Sequence, residues 1–264
     1  MHRLVKLIQS KYYKWTERPL KVKIESLLPV IRPGTHYGGW LIPAGFLNSQ
    51  SVVYLAGAGE DVSFDAVVAD QFGCAVQIID PTPRAAAHVM RLKANIANGI
   101  DTPLENIDTG IYPQFARETA EKLHFHTIGL WNEDTTLKFY APANPAFVSH
   151  SIVNLQKTEH FIEVPVCRLS TIMKKLGHDH IDLLKIDIEG AEYTVLTALL
   201  EEKIPVKVIC VEYDENATNH IDAQYTHRIE SSLQALCHAG YHIIAKESHC
   251  HNYTLVHQSI LPKA

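Results

Sequence analysis

The sequence contains no apolar stretch long enough to span a bilayer, and no Cys-x-x-Cys spacing of the kind used by thiolate zinc sites and redox motifs. Its five cysteines, Cys74, Cys167, Cys210, Cys237 and Cys250, are odd in number and widely spaced. That argues against a disulfide framework and suits a reducing, cytoplasmic setting. Positive charge is scarce as well: 24 Lys and Arg stand against 29 Asp and Glu, a formal charge of -5. No global field therefore draws the chain to phosphate backbones or anionic lipid, and nucleic acid is not an expected partner. The start, Met1 to Lys14, carries Arg3, Lys6, Lys11 and Lys14 and lacks the uninterrupted apolar core and small-residue cleavage site of a signal peptide. Repeats and low-complexity segments are absent from the sequence.

What is present is a core-forming composition: 264 residues, 46% of them hydrophobic, enough for one large α/β domain. Leu4, Ile8, Tyr12 and Trp15 fall on one face of a basic amino-terminal helix. It reads as a cap on the domain or a homodimer contact, with a membrane-surface or acidic-partner helix as the alternative. Residues 29–45 hold Pro29, Pro33, Gly34, Gly38, Gly39, Pro43 and Gly45, a loop that leads into the main domain and is placed to fold over a cofactor. The expected division is thus 1–45 for helix and lead-in, and 46–264 for the domain.

From residue 51 strand and helix signals alternate. Ser51 to Ala56 is a β-rich run, and Phe64, Val68 and Phe72 mark a helix face after it. Ala75 to Ile79 forms a second run, followed by the helical stripe Ala85, Val89, Leu92 and Ile96. Phe125 to Leu130 and Thr136 to Tyr140 read as strands, while residues 101–122 fit no pattern. Ile181 to Ile186 and Val206 to Tyr213 are strands followed by helices bearing Ala191, Val195 and Leu199, then Ile229, Leu233 and Leu236. This order implies a parallel sheet with helical crossovers. Tyr241 to Ala245 and Tyr253 to His257 leave no room for a helix between them and must pair as an antiparallel hairpin.

In such sheets ligands bind beyond the carboxyl ends of the strands, where strand order reverses. Gly57-Ala58-Gly59-Glu60-Asp61-Val62 follows the first strand: its glycines let backbone approach a ligand, and the helix that follows presents free N–H groups to an anion. Asp80-Pro81 ends the second strand, 23 residues past Gly57, where an acidic side chain can accept hydrogen bonds from both ribose hydroxyls of a nucleoside. A plain turn before Pro81 is the competing role. Val62 stands where dinucleotide folds place a third glycine, which disfavours a nicotinamide cofactor.

The string Leu183-Leu184-Lys185-Ile186-Asp187-Ile188-Glu189-Gly190-Ala191-Glu192 resembles the signature of FkbM-type methyltransferases. Gly57 to Asp65, Asp80 to Arg84 and Val211-Glu212-Tyr213 resemble that family too. The resemblance implies a Rossmann-like α/β methyltransferase fold, with a seven-stranded, mostly parallel sheet in the order 3-2-1-4-5-7-6 closed by the hairpin. It also implies S-adenosyl-L-methionine (SAM) as methyl donor, and transfer to a hydroxyl of a sugar, glycan or secondary-metabolite acceptor. One departure is Leu55, where methyltransferases commonly carry an acid for the cofactor's amino group; Glu60 or Asp61 is placed to substitute, with helix capping as the rival role of each.

The expected cofactor contacts are therefore Gly57, Gly59, Glu60, Asp61, Asp80 and Pro81. Asp187 and Glu189 are expected near the acceptor, Lys185 pairs with Asp187 or Glu212, and His150 is the candidate base. Among the 16 histidines, His124-x-His126, His178-x-His180 and His249-x-His251 lack a clear third ligand, so no metal is expected; a cation at Asp187 is the minority alternative. The competing functions are a nicotinamide-dependent oxidoreductase and a non-catalytic nucleoside-binding or assembly domain.

Overall fold

In a computed structural model of the chain, which describes residues 20–104, 110–141, 152, 158–216, 222, 224–247 and 251–262, the β-rich runs join into a seven-stranded sheet. The lead-in, read as a loop, holds a short antiparallel hairpin of β1 (Val30–Ile31) and β2 (Ile42–Pro43). Then come β3 (Val53–Ala56), α1 (Ser63–Phe72), β4 (Val76–Ile79), α2 (Pro83–Asn98), α3 (Thr119–Lys122) and β5 (Leu123–His126). A second small sheet follows, made of β6 (Gly129–Leu130), β7 (Thr135–Tyr140) and β8 (Phe161–Cys167). The chain returns through α4 (Leu169–Leu176) to β9 (Ile181–Ile186), α5 (Glu192–Glu201), β10 (Val206–Glu212), α6 (Tyr225–His238), β11 (Tyr241–Lys246) and β12 (Asn252–His257).

The main sheet runs β11-β12-β10-β9-β3-β4-β5, which is 3-2-1-4-5-7-6 from β5 to β11 when its strands are counted along the chain. Neighbours from β10 to β5 are parallel, and β12 runs against both β10 and β11. The order reverses between β3 and β9, because the chain works outward to β5 and then crosses back to the other side of β3.

Side-chain alternation divides the core into two layers. Tyr54, Ala56, Leu184 and Ile186 face the layer built with Val195 and Leu199 of α5 and Ile229 and Leu233 of α6. Val53, Leu55 and Leu183 face Phe64 and Val68 of α1, Val89 and Leu92 of α2, and Trp40 and Ile42 of the lead-in. The lead-in is thus built into the domain core. Burying these large side chains contributes about 1.5–3 kcal/mol each before entropy is charged against it.

One expectation is corrected. The run Phe125 to Leu130 is two strands in different sheets: β5 starts earlier, at Leu123, and a turn in which Ile128 N–H donates to His126 O at 2.9 Å separates it from β6. The pair β8 and α4 carried no sequence expectation. The basic amino-terminal helix lies outside the described residues. Among the described residues no helix is long and apolar enough to cross a membrane.

Candidate functional site

The reversal between β3 and β9 brings two loops together. Gly57 follows β3 with φ at +84°, and a Cβ built on it would stand 1.6 Å from the carbonyl oxygen of Asp187. Only glycine fits that approach. Gly59 is also left-handed, at +55°, yet a Cβ there would meet nothing within 4 Å. One glycine is therefore required by packing, and the other borders open space at the start of α1.

Asp80 holds this turn from below. Its Oδ2 accepts the N–H groups of Ala58 at 2.9 Å and Gly59 at 3.2 Å, and its Oδ1 accepts Thr82 N–H at 2.8 Å and Thr82 Oγ1 at 2.6 Å. The carboxylate is 6% exposed, and its four acceptor positions are filled by the protein. Of the two roles weighed for Asp80, ribose acceptor and turn residue, these contacts are those of a turn residue that also shapes the glycine loop. Pro81, next to it, packs toward Gly129 of β6.

Asp61 and Glu60 are engaged at the same helix start. Asp61 Oδ1 accepts Ser63 N–H at 2.9 Å, satisfying a first-turn donor of α1, and its Oδ2 accepts Thr35 Oγ1 at 2.7 Å. Glu60 pairs with Arg84, at 3.0 Å and 2.9 Å, on the exposed rim. Both acids therefore bind protein partners beside Gly59.

On the β9 side, Lys185 is buried, and its Nζ donates to Gly57 O at 2.6 Å and pairs with Asp187 Oδ2 at 3.2 Å. Of the two partners expected for it, Asp187 is the one in contact. Trp40 of the lead-in lies 5.8 Å from the ammonium, measured to the ring centroid. Burial opposes the lysine's charge, but the carboxylates of Asp187, Asp65 and Glu212 hold its pKa above the ordinary value. Asp65 of α1, buried to 1% exposure, is pushed up to about 7 by that burial, with Lys185 pulling the other way. Glu189 adopts φ of +53°, uncommon for a residue with a Cβ, in the turn that follows β9. Glu192 closes the turn by accepting Ile188 N–H at 3.1 Å and Gly190 N–H at 3.0 Å.

The structure adds Asp214 and Tyr37, which carried no sequence expectation, and sets Glu212 among the acids. Glu212 ends β10 beside Asp187, since Val211 is in register with Ile186; Asn252 Nδ2 donates to its Oε2 at 3.2 Å. Burial and then Asp187 push Glu212 up to about 8. Two residues on, Asp214 is raised well above an ordinary carboxyl by burial and by Glu192, Glu189, Asp187 and Glu212. The lead-in crosses this acidic end. Thr35 is tied to Asp61 and Ser63, and Trp40 reaches Lys185, so Tyr37 lies on the span between them. Its hydroxyl pKa is raised by burial and by Asp187, Glu212, Glu189 and Asp61. The signal for Asp214 was its place just beyond β10; Tyr37 had none, lying in a Pro/Gly-rich loop.

His150 falls outside the described residues. One histidine of each pair inside them is hydrogen-bonded in the fold: His126 with Gln77 at 2.8 Å, and His178 with Tyr54 at 2.7 Å. Among the described residues no three His, Cys, Asp or Glu side chains are placed to hold a metal ion.

A search of curated proteins finds no match to the chain. Among solved structures it is similar to "METTL16 MTase domain" at 10% identity and a TM-score of 0.40, covering 78% of this chain and 59% of that one. It is also similar to "Crystal Structure of EvdMO1" at 11% identity and a TM-score of 0.37, covering 95% of this chain and 46% of that one. The chain thus spans little more than half of the first structure and under half of the second. The family model described as "Methyltransferase FkbM domain" matches residues 55–243, from β3 through the start of β11 and so across both loops of the site. With more than half of its length matched, the chain belongs to the FkbM methyltransferase family.

Proposed function

We propose that the chain is a SAM-dependent O-methyltransferase whose acceptor is a hydroxyl of a sugar, glycan or secondary metabolite. The observation that carries this reading is the left-handed turn at Gly57 and Gly59, locked by Asp80 and Lys185 at the reversal point of a methyltransferase sheet, with open space beside Gly59. An uncrowded glycine next to the start of α1 is the cradle that a cofactor carboxylate and ribose require. The residues present fit SAM: Gly57, Gly59 and Asp61 would hold it, with Asp80 and Pro81 setting the shape of the turn and Glu60 at its rim. SAM supplies a methyl group on a positively charged sulfur.

The chain's own part is to orient the acceptor and take its proton. Asp187 is fixed by Lys185 at the point where both loops meet, so its carboxylate holds the acceptor hydroxyl, with Glu189 on the same turn. Glu212 stands beside it as a second proton acceptor, and His150 remains the base candidate from the sequence. The odd number and wide spacing of its cysteines support a cytoplasmic setting for this enzyme.

The test is a thermal melt of the full chain with SAM, S-adenosylhomocysteine (SAH) and NAD, followed by mass spectrometry of acceptors incubated with SAM. Stabilisation by SAM and SAH, and a gain of one methyl mass on a hydroxyl compound, are expected. Stabilisation by NAD in their place would favour the oxidoreductase reading. Binding without any methylated product would favour the assembly domain.

A further inference from the structure

Residues 32–41 join β1 to β2 as a loop that is folded back on itself and tied down on several sides. Arg32 donates to the carbonyl oxygens of Thr35 at 2.6 Å and His36 at 3.0 Å, and it pairs with Glu247, just beyond β11, at 3.2 Å. Gly39 N–H returns to Thr35 O at 3.0 Å, and Trp40 N–H to Pro33 O at 3.1 Å. Thr35 Oγ1 accepts Gly38 N–H at 2.9 Å and donates to Asp61 at 2.7 Å. A Cβ on Gly38 would stand 2.6 Å from the carboxyl carbon of Asp61, so the loop rests directly on the start of α1. Trp40, buried to 3% exposure, is the anchor on the β9 side, 5.8 Å from the Lys185 ammonium.

Tyr37 lies between these anchors, at the mouth where the two loops of the site meet. Its neighbours are held inward, yet its own side chain is 59% exposed. The phenol stands in the field of Asp187, Glu212, Glu189 and Asp61. A tyrosine offers a large contact face at little entropic cost, because it has few torsions to freeze, and a fixed loop lowers that cost further. A lone exposed aromatic on an ordinary surface needs no explanation. Here one arginine fork is committed to two carbonyl oxygens of the loop that holds the ring beside carboxylates.

We propose that Tyr37 is an acceptor-binding residue, whose ring stacks on the apolar C–H face of a sugar and so brings the sugar's hydroxyls to Asp187 and Glu189. This rests on the methyltransferase reading proposed above and selects the sugar among its acceptor classes. A pyranose matches both chemistries that the mouth presents: a flat face of C–H groups for the aromatic ring, and a rim of O–H donors for carboxylate oxygens. An acyclic polyol has the hydroxyls without a fixed face. A simple phenol has the face with a single hydroxyl. Stacking on a ring that is already in place fixes the direction of the reacting hydroxyl before transfer, which is how positioning lowers a barrier.

The experiment is titration of methyl glucoside, methyl galactoside, glycerol and phenol, followed by saturation-transfer NMR, into the full chain loaded with SAH. The same titrations are run on Tyr37→Ala, Tyr37→Phe and Arg32→Lys, beside calorimetry with SAH and a melt of each protein. At least one glycoside should bind more tightly than glycerol and phenol, with saturation strongest on its ring C–H protons. Tyr37→Ala should weaken that glycoside by about tenfold, and Tyr37→Phe, which keeps the face, by no more than about threefold. Both should melt and bind SAH as the parent does. Arg32→Lys keeps the charge toward Glu247 but loses the fork, so it should weaken the glycoside by about threefold with Tyr37 intact. If Arg32→Lys melts early, the two Tyr37 variants carry the comparison. Neither glycoside bound, glycerol or phenol bound as tightly, or a Tyr37→Ala protein that binds the glycoside like the parent overturns the inference, and SAH binding in the same samples leaves the SAM reading standing. A Tyr37→Ala protein that loses SAH to the same degree also overturns it, because the ring then serves the cofactor. Failure of the parent chain to bind SAH removes the SAM reading and this inference together.

Discussion

The two ends of β9 and β10 are built from the same residue types and treat charge in opposite ways. At the amino-terminal end Asp182 and Lys207 sit side by side on neighbouring strands and pair at 2.7 Å, and Val52 N–H adds a hydrogen bond at 2.8 Å. Burial pulls Asp182 upward, but those partners outweigh it and hold its carboxyl below the ordinary value. At the carboxyl end the corresponding neighbours are Asp187 and Glu212, like charges on adjacent strands, and Glu212 is driven up. One end is compensated for stability. The other is left short of positive charge, and it is the end where an α/β sheet binds its ligand.

The strongest way to break this contrast is Gly57→Ala. If the site end were simply loose, a methyl group would be absorbed; instead it would meet Asp187 O at 1.6 Å in a left-handed backbone. A loss of about 4 kcal/mol or more is expected, seen as a melting temperature lower by roughly 10 °C. Gly59→Ala, with nothing within 4 Å, is the control: it should fold, losing only about 1–2 kcal/mol to its backbone angle.

Asp80→Ala sharpens the comparison one step lower. Removing the carboxylate strands the N–H groups of Ala58 and Gly59, both at the edge of the site. We expect about 2–3 kcal/mol less stability without ligand, and weaker SAM binding in calorimetry as the turn loosens. An Asp80→Ala protein that melts like the parent and loses only affinity would make Asp80 a ligand contact alone.

The smallest effect is the most diagnostic, because its sign differs between the two ends. Asp182 has a depressed pKa when folded, so it contributes stability above its unfolded pKa, and that contribution is lost as pH falls through the folded value. Asp182→Asn should therefore cost about 1–2 kcal/mol near pH 7 and little in acid. Glu212 has a raised pKa, so its share of stability is complete below the unfolded value and is lost as pH rises through about 8. Glu212→Gln should then raise the melting temperature of the ligand-free protein by a few degrees above pH 8, and change it little near pH 5. Melts across pH 4–9 check both; the same sign at both ends would dissolve the contrast.

Much of the site was legible because it is local. The glycine turn after β3, Asp80 after β4 and the string from Lys185 to Glu192 each occupy a few consecutive residues beyond a strand, and alternation puts Lys185 and Asp187 on one side. The hairpin of β11 and β12 was forced by its short connection. By contrast β8 was missed because Pro165 lies inside it, where a proline reads as a break, and its exposed Phe161 and Glu163 blur the pattern. The single run from Phe125 to Leu130 hid a change of sheet, because hydrophobicity records burial and carries no label for which layer provides it.

The sequence by itself determined the strand-helix alternation, the parallel sheet with its closing hairpin, and the residue types beyond each strand, since these follow from periodicity and from turn chemistry along the chain. Only the tertiary structure decided that Gly57 is fixed by the carbonyl of Asp187, that Asp80 spends all its acceptors on its own fold, and that the lead-in brings Thr35, Tyr37 and Trp40 over the acids. It alone placed Glu212 beside Asp187 and Asp214 against Glu192. Those are contacts and fields between segments tens to hundreds of residues apart, and charge in a folded protein acts through distance in space, which no spacing along the chain records.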